Sequence, residues 1–113
     1  NGIAVISTPN LDDILLKLAF ESFAQHFYRT QHRWMFNKKS LVDCITYAGL
    51  EILGVRFIHR YGFTNALKWI SGNPKDFIAH DVTKDISLDT FWKCWLETNE
   101  KSDNIVIICR KPI

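Results

Sequence analysis

The sequence predicts one α/β unit in which helices pack on a sheet of about three strands. Of the 113 residues, 47% are hydrophobic, which is enough for one core in a chain of this size. Short runs rich in β-branched residues alternate with segments of helical periodicity, in the order strand, helix, helix, strand, short helix, helix, strand. No repeat, low-complexity tract or linker separates these segments. We therefore expect residues 1–113 to form a single domain.

The first strand is predicted over residues 3–6, an apolar run without polar alternation. Such a run is typical of a strand covered on both faces, as in a parallel sheet. Asn10 is suited to capping the helix that follows, and Asp12 and Asp13 place negative charge in its first turn, where the helix dipole favours it. This helix is predicted to run to about Tyr28.

A second helix is predicted after a polar and aromatic connector. It begins at Asn37 or Ser40 and runs through Ala48. Gly49 ends it, because a glycine just past the last apolar position is a common C-terminal signal.

The second strand is predicted over residues 52–59, which mix β-branched and aromatic side chains. Gly54 within it indicates a bulge or a point of close packing. Thr64 or Asn65 is then expected to cap a short helix through Ile70.

The last third of the chain is predicted to contain a helix and a final strand. Residues 75–86 have little periodicity and are predicted to be irregular. Ser87 is suited to capping the helix, which has a heavy aromatic stripe. A polar turn leads to the last strand, residues 104–109.

Composition excludes several classes of protein. Fourteen basic and twelve acidic residues give a net charge of +2, far from the concentrated positive field of a typical nucleic-acid binder. Cys44, Cys94 and Cys109 are odd in number and widely spaced, which indicates neither a disulfide framework nor a zinc site. No apolar run approaches the roughly 18 residues of a membrane span, and the N-terminus lacks a signal-peptide pattern. We expect a cytoplasmic protein without membrane or nucleic-acid partners.

Several short blocks of the sequence occur together in a known family. Residues 1–10 comprise a glycine, a strand and a Ser-Thr-Pro-Asn loop. The later blocks, in order, are residues 32–36 (His-Arg-Trp-Met-Phe), 40–41 (Ser-Leu), 48–51 (Ala-Gly-Leu-Glu), 60–61 (Arg-Tyr) with Asn65 and Trp69, and 103–112. This succession resembles the C-terminal half of class I S-adenosylmethionine-dependent methyltransferases. Leu50 replaces the phenylalanine that the family more usually has.

The resemblance implies a partial Rossmann-like methyltransferase fold with about three mixed strands, the last inserted antiparallel between the other two. It also implies that the chain is the acceptor-side part of an enzyme whose N-terminal, cofactor-binding part is absent. A start at Asn1, without methionine, agrees with a fragment. Class I enzymes hold the cofactor with a glycine-rich turn, whereas the five glycines here are scattered. We therefore expect the intact parent to bind S-adenosylmethionine, and the isolated chain to bind no cofactor and to be inactive.

The resemblance also implies an acceptor site beyond the end of the first strand, since ligands of open α/β sheets bind at the carboxyl ends of strands. Thr8 and Asn10 are expected to orient the acceptor there, although capping of a helix also explains Asn10. His32 is the candidate catalytic residue, because histidine titrates near neutral pH and can be the general base for an acceptor hydroxyl. A hydrogen-bonded surface histidine is the alternative interpretation.

A second group of candidate substrate-binding residues comprises Arg60, Tyr61 and Asn65. They combine a cation, a phenol and an amide, a set that suits a sugar-like or carboxylated acceptor. Trp69, in the same block, is more typical of a core anchor than of a stacking platform. The histidines are not spaced as metal ligands, so no metal site is predicted.

The leading hypothesis is thus a methyltransferase fragment that binds a small, sugar-related acceptor. One alternative is a winged-helix type of nucleic-acid-binding module, because Arg29, Arg33, Lys38 and Lys39 cluster between the first two helices. Another is an interaction domain that forms homodimers through an exposed sheet edge or apolar face.

Overall fold

The structure is a computed structural model that describes residues 2–28, 34–75 and 86–113. Its elements, in chain order, are β1 (Ile3–Pro9), α1 (Leu15–Leu18), α2 (Phe20–Phe27), α3 (Lys38–Tyr47), β2 (Glu51–Ile58), α4 (Phe63–Ile70), α5 (Ile86–Thr98) and β3 (Asn104–Arg110). Except for its two ends, the segment predicted to be irregular, residues 75–86, lies outside the described residues. No helix in the described ranges is long and apolar enough to cross a membrane.

The sheet has three strands in the order β1-β3-β2, and both pairings are antiparallel. The prediction of a partial Rossmann-like fold with mixed strands is therefore wrong, although the last strand does lie between the other two and antiparallel to both, as the resemblance implied. The connection of β2 to β3 explains the direction of β3. Helices α4 and α5 return the chain to the end of the sheet where β2 finishes, so that Ile58 pairs with Asn104. An apolar run favours a buried strand but carries no information on the direction of its partner.

The register of β2 on β3 shifts between Ile52 and Gly54, which confirms the bulge predicted at the glycine. Along β1, in contrast, the side chains are less buried than predicted. Ile3 and Val5 are 66% and 65% exposed, so the apolar run at the start of the chain is not covered on both faces.

Helix α3 packs on one face of the sheet, against the central strand. Its residues Leu41 and Ile45 form a core cluster with Ile105, Ile107 and Cys109, all three fully buried. Alternation along β3 produces this arrangement, because every second side chain points to the same face.

The ends of α3 are those that the sequence predicts. The Asn37 side chain accepts a hydrogen bond from the Ser40 backbone N–H (2.9 Å), and the Asn37 N–H donates to the Ser40 hydroxyl (3.0 Å), which completes a capping box. Gly49 follows the helix with a φ of 85°, a left-handed conformation that glycine adopts without strain.

Helices α1, α2, α4 and α5 form a second core cluster. Its centre comprises the buried residues Leu15, Phe23, Phe27, Ala66 and Leu96. The single helix predicted from Asn10 to Tyr28 is instead broken at Ala19, whose φ of −142° and ψ of 45° are not helical. After the break, Phe23 and Phe27 of α2 reach this core, whereas Phe20 at the start of α2 is exposed.

Helix α4 begins without the predicted cap. The Phe63 N–H donates to the Asp89 carboxylate of α5 (2.8 Å), so a residue distant in sequence does what Thr64 or Asn65 was expected to do. A Cβ at Gly62 would lie 2.5 Å from this carboxylate, which is why the residue before the helix has no side chain. Ser87 lies within α5 and therefore is not its N-cap.

Candidate functional site

A cavity of about 260 Å³ lies where the ends of β1 and β2 meet α2 and α4. We call it the strand-end cavity. Its lining residues are Pro9, Asp13, Leu15, Phe23, His26, Phe27, His59, Arg60, Tyr61, Asn65, Lys68, Trp69 and Asp103. The cavity thus joins apolar and aromatic side chains of the helical core to a group of charged and polar ones.

Aromatic side chains form one wall of the cavity. The Trp69 ring lies 5.2 Å from that of Phe23 and 5.1 Å from that of His26, measured between centroids. Trp69 is half-buried and packs against the helical core, as predicted of an anchor, while it also lines the cavity. The wall therefore offers a flat apolar surface to a ring.

Another part of the cavity wall contains a network around Asp103. Its carboxylate accepts hydrogen bonds from the Arg60 backbone N–H (3.2 Å) and from Arg60 Nε (3.1 Å). The Asp103 side chain is nearly buried, whereas that of Arg60 is more than half exposed. Arg60 also lies over the Tyr61 ring, with Cζ 5.2 Å from the centroid. The network holds Arg60 and Tyr61 in place beside the cavity.

His59 is a buried, neutral member of this wall. Its Nδ1 accepts a hydrogen bond from the Asp103 backbone N–H (3.1 Å), so the proton of the neutral ring is on Nε2. Burial lowers the pKa of His59, and the negative charges of Asp103 and Glu97 oppose this effect. Its backbone N–H donates to Glu97 (2.9 Å), which joins the end of β2 to α5.

Asp13 is the acidic residue of the site that the sequence did not single out. It is only 1% exposed, and its Oδ1 accepts a hydrogen bond from the Leu15 N–H (2.9 Å). Burial raises the pKa of Asp13 to about 7; the nearby Asp103 adds to the rise, while the Leu15 N–H and Arg60 oppose it. A carboxyl group that titrates near neutral pH can either donate or accept a proton.

The predicted substrate-binding residues separate into two groups. Arg60, Tyr61 and Asn65 come from the end of β2 and from α4, and all three line the strand-end cavity. Thr8 does not line it; it is half-buried in β1 opposite Ile105. Asn10 does not line it either, although its neighbour Pro9 does.

Asn10 has a structural position instead. Its side chain is fully buried, donates to the carbonyl groups of Glu100 (3.2 Å) and Ser102 (3.0 Å), and accepts from the Asp12 N–H (2.9 Å). Since α1 begins only at Leu15, Asn10 is not the helix cap that the sequence predicts. It joins the two loops that carry Asp13 and Asp103.

His32, the candidate catalytic residue, lies outside the described residues, and its role stays a prediction. The same holds for Arg29 and Arg33 of the basic cluster. The two lysines of that cluster are paired: Lys38 with Glu100 (3.0 Å) and Lys39 with Asp43 (2.8 Å). Over the described ranges, no group of three acidic, histidine or cysteine side chains is placed to hold a metal ion.

No protein-family model matches the chain, and no curated protein or solved structure matches it either. A functional proposal therefore depends on the residues that belong to the family-like blocks and also line the strand-end cavity.

Proposed function

We propose that this chain forms the acceptor side of an S-adenosylmethionine-dependent methyltransferase and that the strand-end cavity binds a small polar acceptor such as a sugar. One observation carries the proposal. Residues from three separate blocks of the resemblance line a single cavity: Pro9 of the first block, Asp103 of the last, and the block with Arg60, Tyr61, Asn65 and Trp69. Residues that share a binding role must meet at one site, and these residues do so although the three blocks are far apart in the sequence.

The chemistry of the cavity suits a one-ring molecule with hydroxyl groups. Its volume of about 260 Å³ lies below the range of roughly 300–1,000 Å³ for drug-sized ligands. The face of Trp69 offers an apolar surface for the ring, and the Asp13 carboxyl, the Tyr61 phenol and the Asn65 amide offer hydrogen-bonding partners for hydroxyls. Positioning of this kind lowers the entropic cost of a later group transfer.

The proposal assigns the cofactor to a part of the parent enzyme that this sequence does not contain. Gly49 and Gly72 have a positive φ, but each lies in an isolated turn after a helix. Neither belongs to a glycine-rich loop of the kind that holds a nucleoside. The residues of this chain therefore contribute recognition and orientation of the acceptor.

A cytoplasmic location belongs to the same proposal. Cys44 and Cys94 are exposed and Cys109 is buried, and all three are free thiols. Free exposed thiols persist in the reducing environment of the cytosol.

The proposal is tested by calorimetry and by methyl transfer. We expect the parent enzyme to bind S-adenosylmethionine and the 113-residue chain to give no heat of binding. Asn65→Ala in the parent should lower kcat/KM for the acceptor roughly tenfold, the effect of one lost hydrogen bond. Thr46→Ala, at an exposed position of α3 that does not line the cavity, is the control. Tight cofactor binding by the isolated chain, or an unchanged Asn65→Ala enzyme, would contradict the proposal.

A second candidate function is that of a dimerising interaction domain. In the described part of the chain the outer edge of β1 pairs with no strand, and the Ile3 and Val5 side chains on it are largely exposed. An exposed apolar edge strand is a template for pairing with another chain. The mass of the protein in solution distinguishes this candidate from the first.

A further inference from the structure

Lys68 lies on the same face of α4 as two other residues that line the strand-end cavity. Asn65, Lys68 and Trp69 are at positions i, i+3 and i+4, which lie on one side of a helix. Trp69 provides the aromatic wall and Asn65 an amide. Lys68 adds a positive charge, half-buried, at the cavity.

The two cations of the cavity wall differ in their partners. Arg60 is paired with the Asp103 carboxylate at 3.1 Å, so much of its charge is neutralised. Lys68 forms no ion pair with any carboxylate in the described ranges. Its charge is therefore available to a ligand.

Asp13 resembles Lys68 in that it lines the cavity without an ion-pair partner among the described residues. No cation of the described part forms an ion pair with it, and its one hydrogen bond is from the Leu15 N–H to Oδ1. The charges that act on it most are those of Asp103 and Arg60, which also line the cavity. Asp13 and Lys68 thus line the cavity from different parts of the fold, the loop before α1 and helix α4.

We propose that the strand-end cavity takes a hydroxylated ring with an acidic substituent, that a ring hydroxyl donates a hydrogen bond to the Asp13 carboxylate, and that Lys68 neutralises the acidic group. A sugar acid is the simplest molecule with these properties. Its ring lies against Trp69, its hydroxyls reach the polar wall, and its carboxylate lies beside α4. This inference rests on the proposed function, and it specifies the class of the acceptor.

The test compares the binding of three ring compounds. Binding is measured from the NMR chemical shift of the Trp69 indole N–H as each compound is added. Glucuronate has hydroxyls and a carboxylate, glucose lacks the carboxylate, and cyclohexanecarboxylate lacks the hydroxyls. We expect glucuronate to bind about fivefold more tightly than glucose, the contribution of one exposed ion pair. We expect the affinity for glucuronate to exceed that for cyclohexanecarboxylate by tenfold or more. A hydrogen bond to a charged group contributes more binding free energy than one between neutral groups.

Two substitutions separate the contributions of Lys68 and Asp13 to the affinity for the ligand. Lys68→Gln should reduce the affinity for glucuronate to that for glucose, and Asp13→Asn should weaken both sugars while leaving cyclohexanecarboxylate unchanged. Lys111→Gln, at the exposed C-terminus, is the matched control for loss of a positive charge. Circular dichroism of each variant shows whether it is folded.

Three results would overturn the inference: equal binding of glucuronate and cyclohexanecarboxylate, a preference for glucuronate that persists in Lys68→Gln, or no shift with glucuronate up to its solubility limit. None of them bears on cofactor binding by the parent enzyme, which is measured separately. A parent that transfers methyl groups to an uncharged acceptor would leave the proposed function standing and this inference rejected.

Discussion

At the scale of single residues, the carboxyl group of Asp13 has the least usual environment in the molecule. Its pKa of about 7 is caused mainly by burial, which disfavours the charged form. The unfolded chain loses this proton near pH 4 and the folded protein near pH 7, so between these values the folded state binds more protons. Its contribution to stability is therefore greatest at low pH and falls as the pH rises toward 7.

Asp13→Asn should reveal this effect. Asparagine retains an oxygen for the Leu15 N–H but cannot ionise. We expect the stability of the variant relative to the wild type to rise by roughly 2–4 kcal/mol between pH 5 and pH 8, from the size of the pKa shift. Urea unfolding at both pH values measures the difference.

The comparison between wild type and variant isolates Asp13 from its titrating neighbours. His59, Asp103 and the cavity histidine His26 are present in both proteins. Asp12→Asn is the matched control, because Asp12 is exposed. A stability difference that is the same at pH 5 and pH 8 would show that Asp13 titrates as an ordinary surface carboxyl.

Asp12 and Asp13 also show where local sequence stops being informative. Both were predicted as negative charge in the first turn of a helix, and one of them is exposed while the other lines a cavity. Their different surroundings come from the loop that Asn10 bonds to residues 100–102, a contact over about 90 positions of the chain. No local pattern specifies a contact of that separation.

At the scale of secondary structure elements, α3 is the helix whose ends depend only on nearby residues. The sequence predicted a start at Asn37 or Ser40 and an end at Gly49; the structure has a capping box of Asn37 and Ser40 and a positive φ at Gly49. Helix α4 has the opposite character, since its first N–H is bonded to Asp89 of α5. Its cap was predicted wrongly because the partner lies 26 residues away.

The capping box of α3 provides a test at this scale. Asn37→Ala removes the acceptor for the Ser40 N–H and should cost about 0.5–2 kcal/mol of stability. Because Leu41 and Ile45 of this helix cover β3, the loss should appear in the global unfolding transition.

Asn37→Asp is the conservative comparison, since aspartate caps helices about as well as asparagine. We expect its midpoint in urea to stay close to that of the wild type. If alanine and aspartate at position 37 were equally stable, the cap would contribute nothing to the fold.

At the scale of the whole molecule, the sheet is covered unevenly. Helix α3 buries one face of β3, whereas β1 is an edge strand with Ile3 and Val5 largely exposed. An apolar edge of this kind favours association with another chain. This asymmetry is the basis of the second candidate function.

If the chain dimerises through β1, Val5→Lys should keep it monomeric, because a lysine on an edge strand opposes pairing. Analytical ultracentrifugation at several concentrations measures the mass. Tyr47→Lys is the control, since Tyr47 is 95% exposed on α3, away from β1. A wild type that stays monomeric at high concentration, or a Val5→Lys variant that still dimerises, contradicts an interface at this edge.

Arg60, Tyr61 and Asn65 were predicted to bind a substrate; they line one cavity, and their binding role stays a prediction. Short-range patterns were enough to predict three strands, the extent of α3 and the irregularity at Gly54. Each of these depends on neighbouring residues or on a short motif. Local patterns did not contain the break at Ala19, the exposure of Ile3 and Val5, or the meeting of Asp13 and Asp103 at one cavity. Each of these depends on contacts between segments that are far apart along the chain: the loops of Asp13 and Asp103, for example, are joined by hydrogen bonds of the Asn10 side chain over about 90 positions.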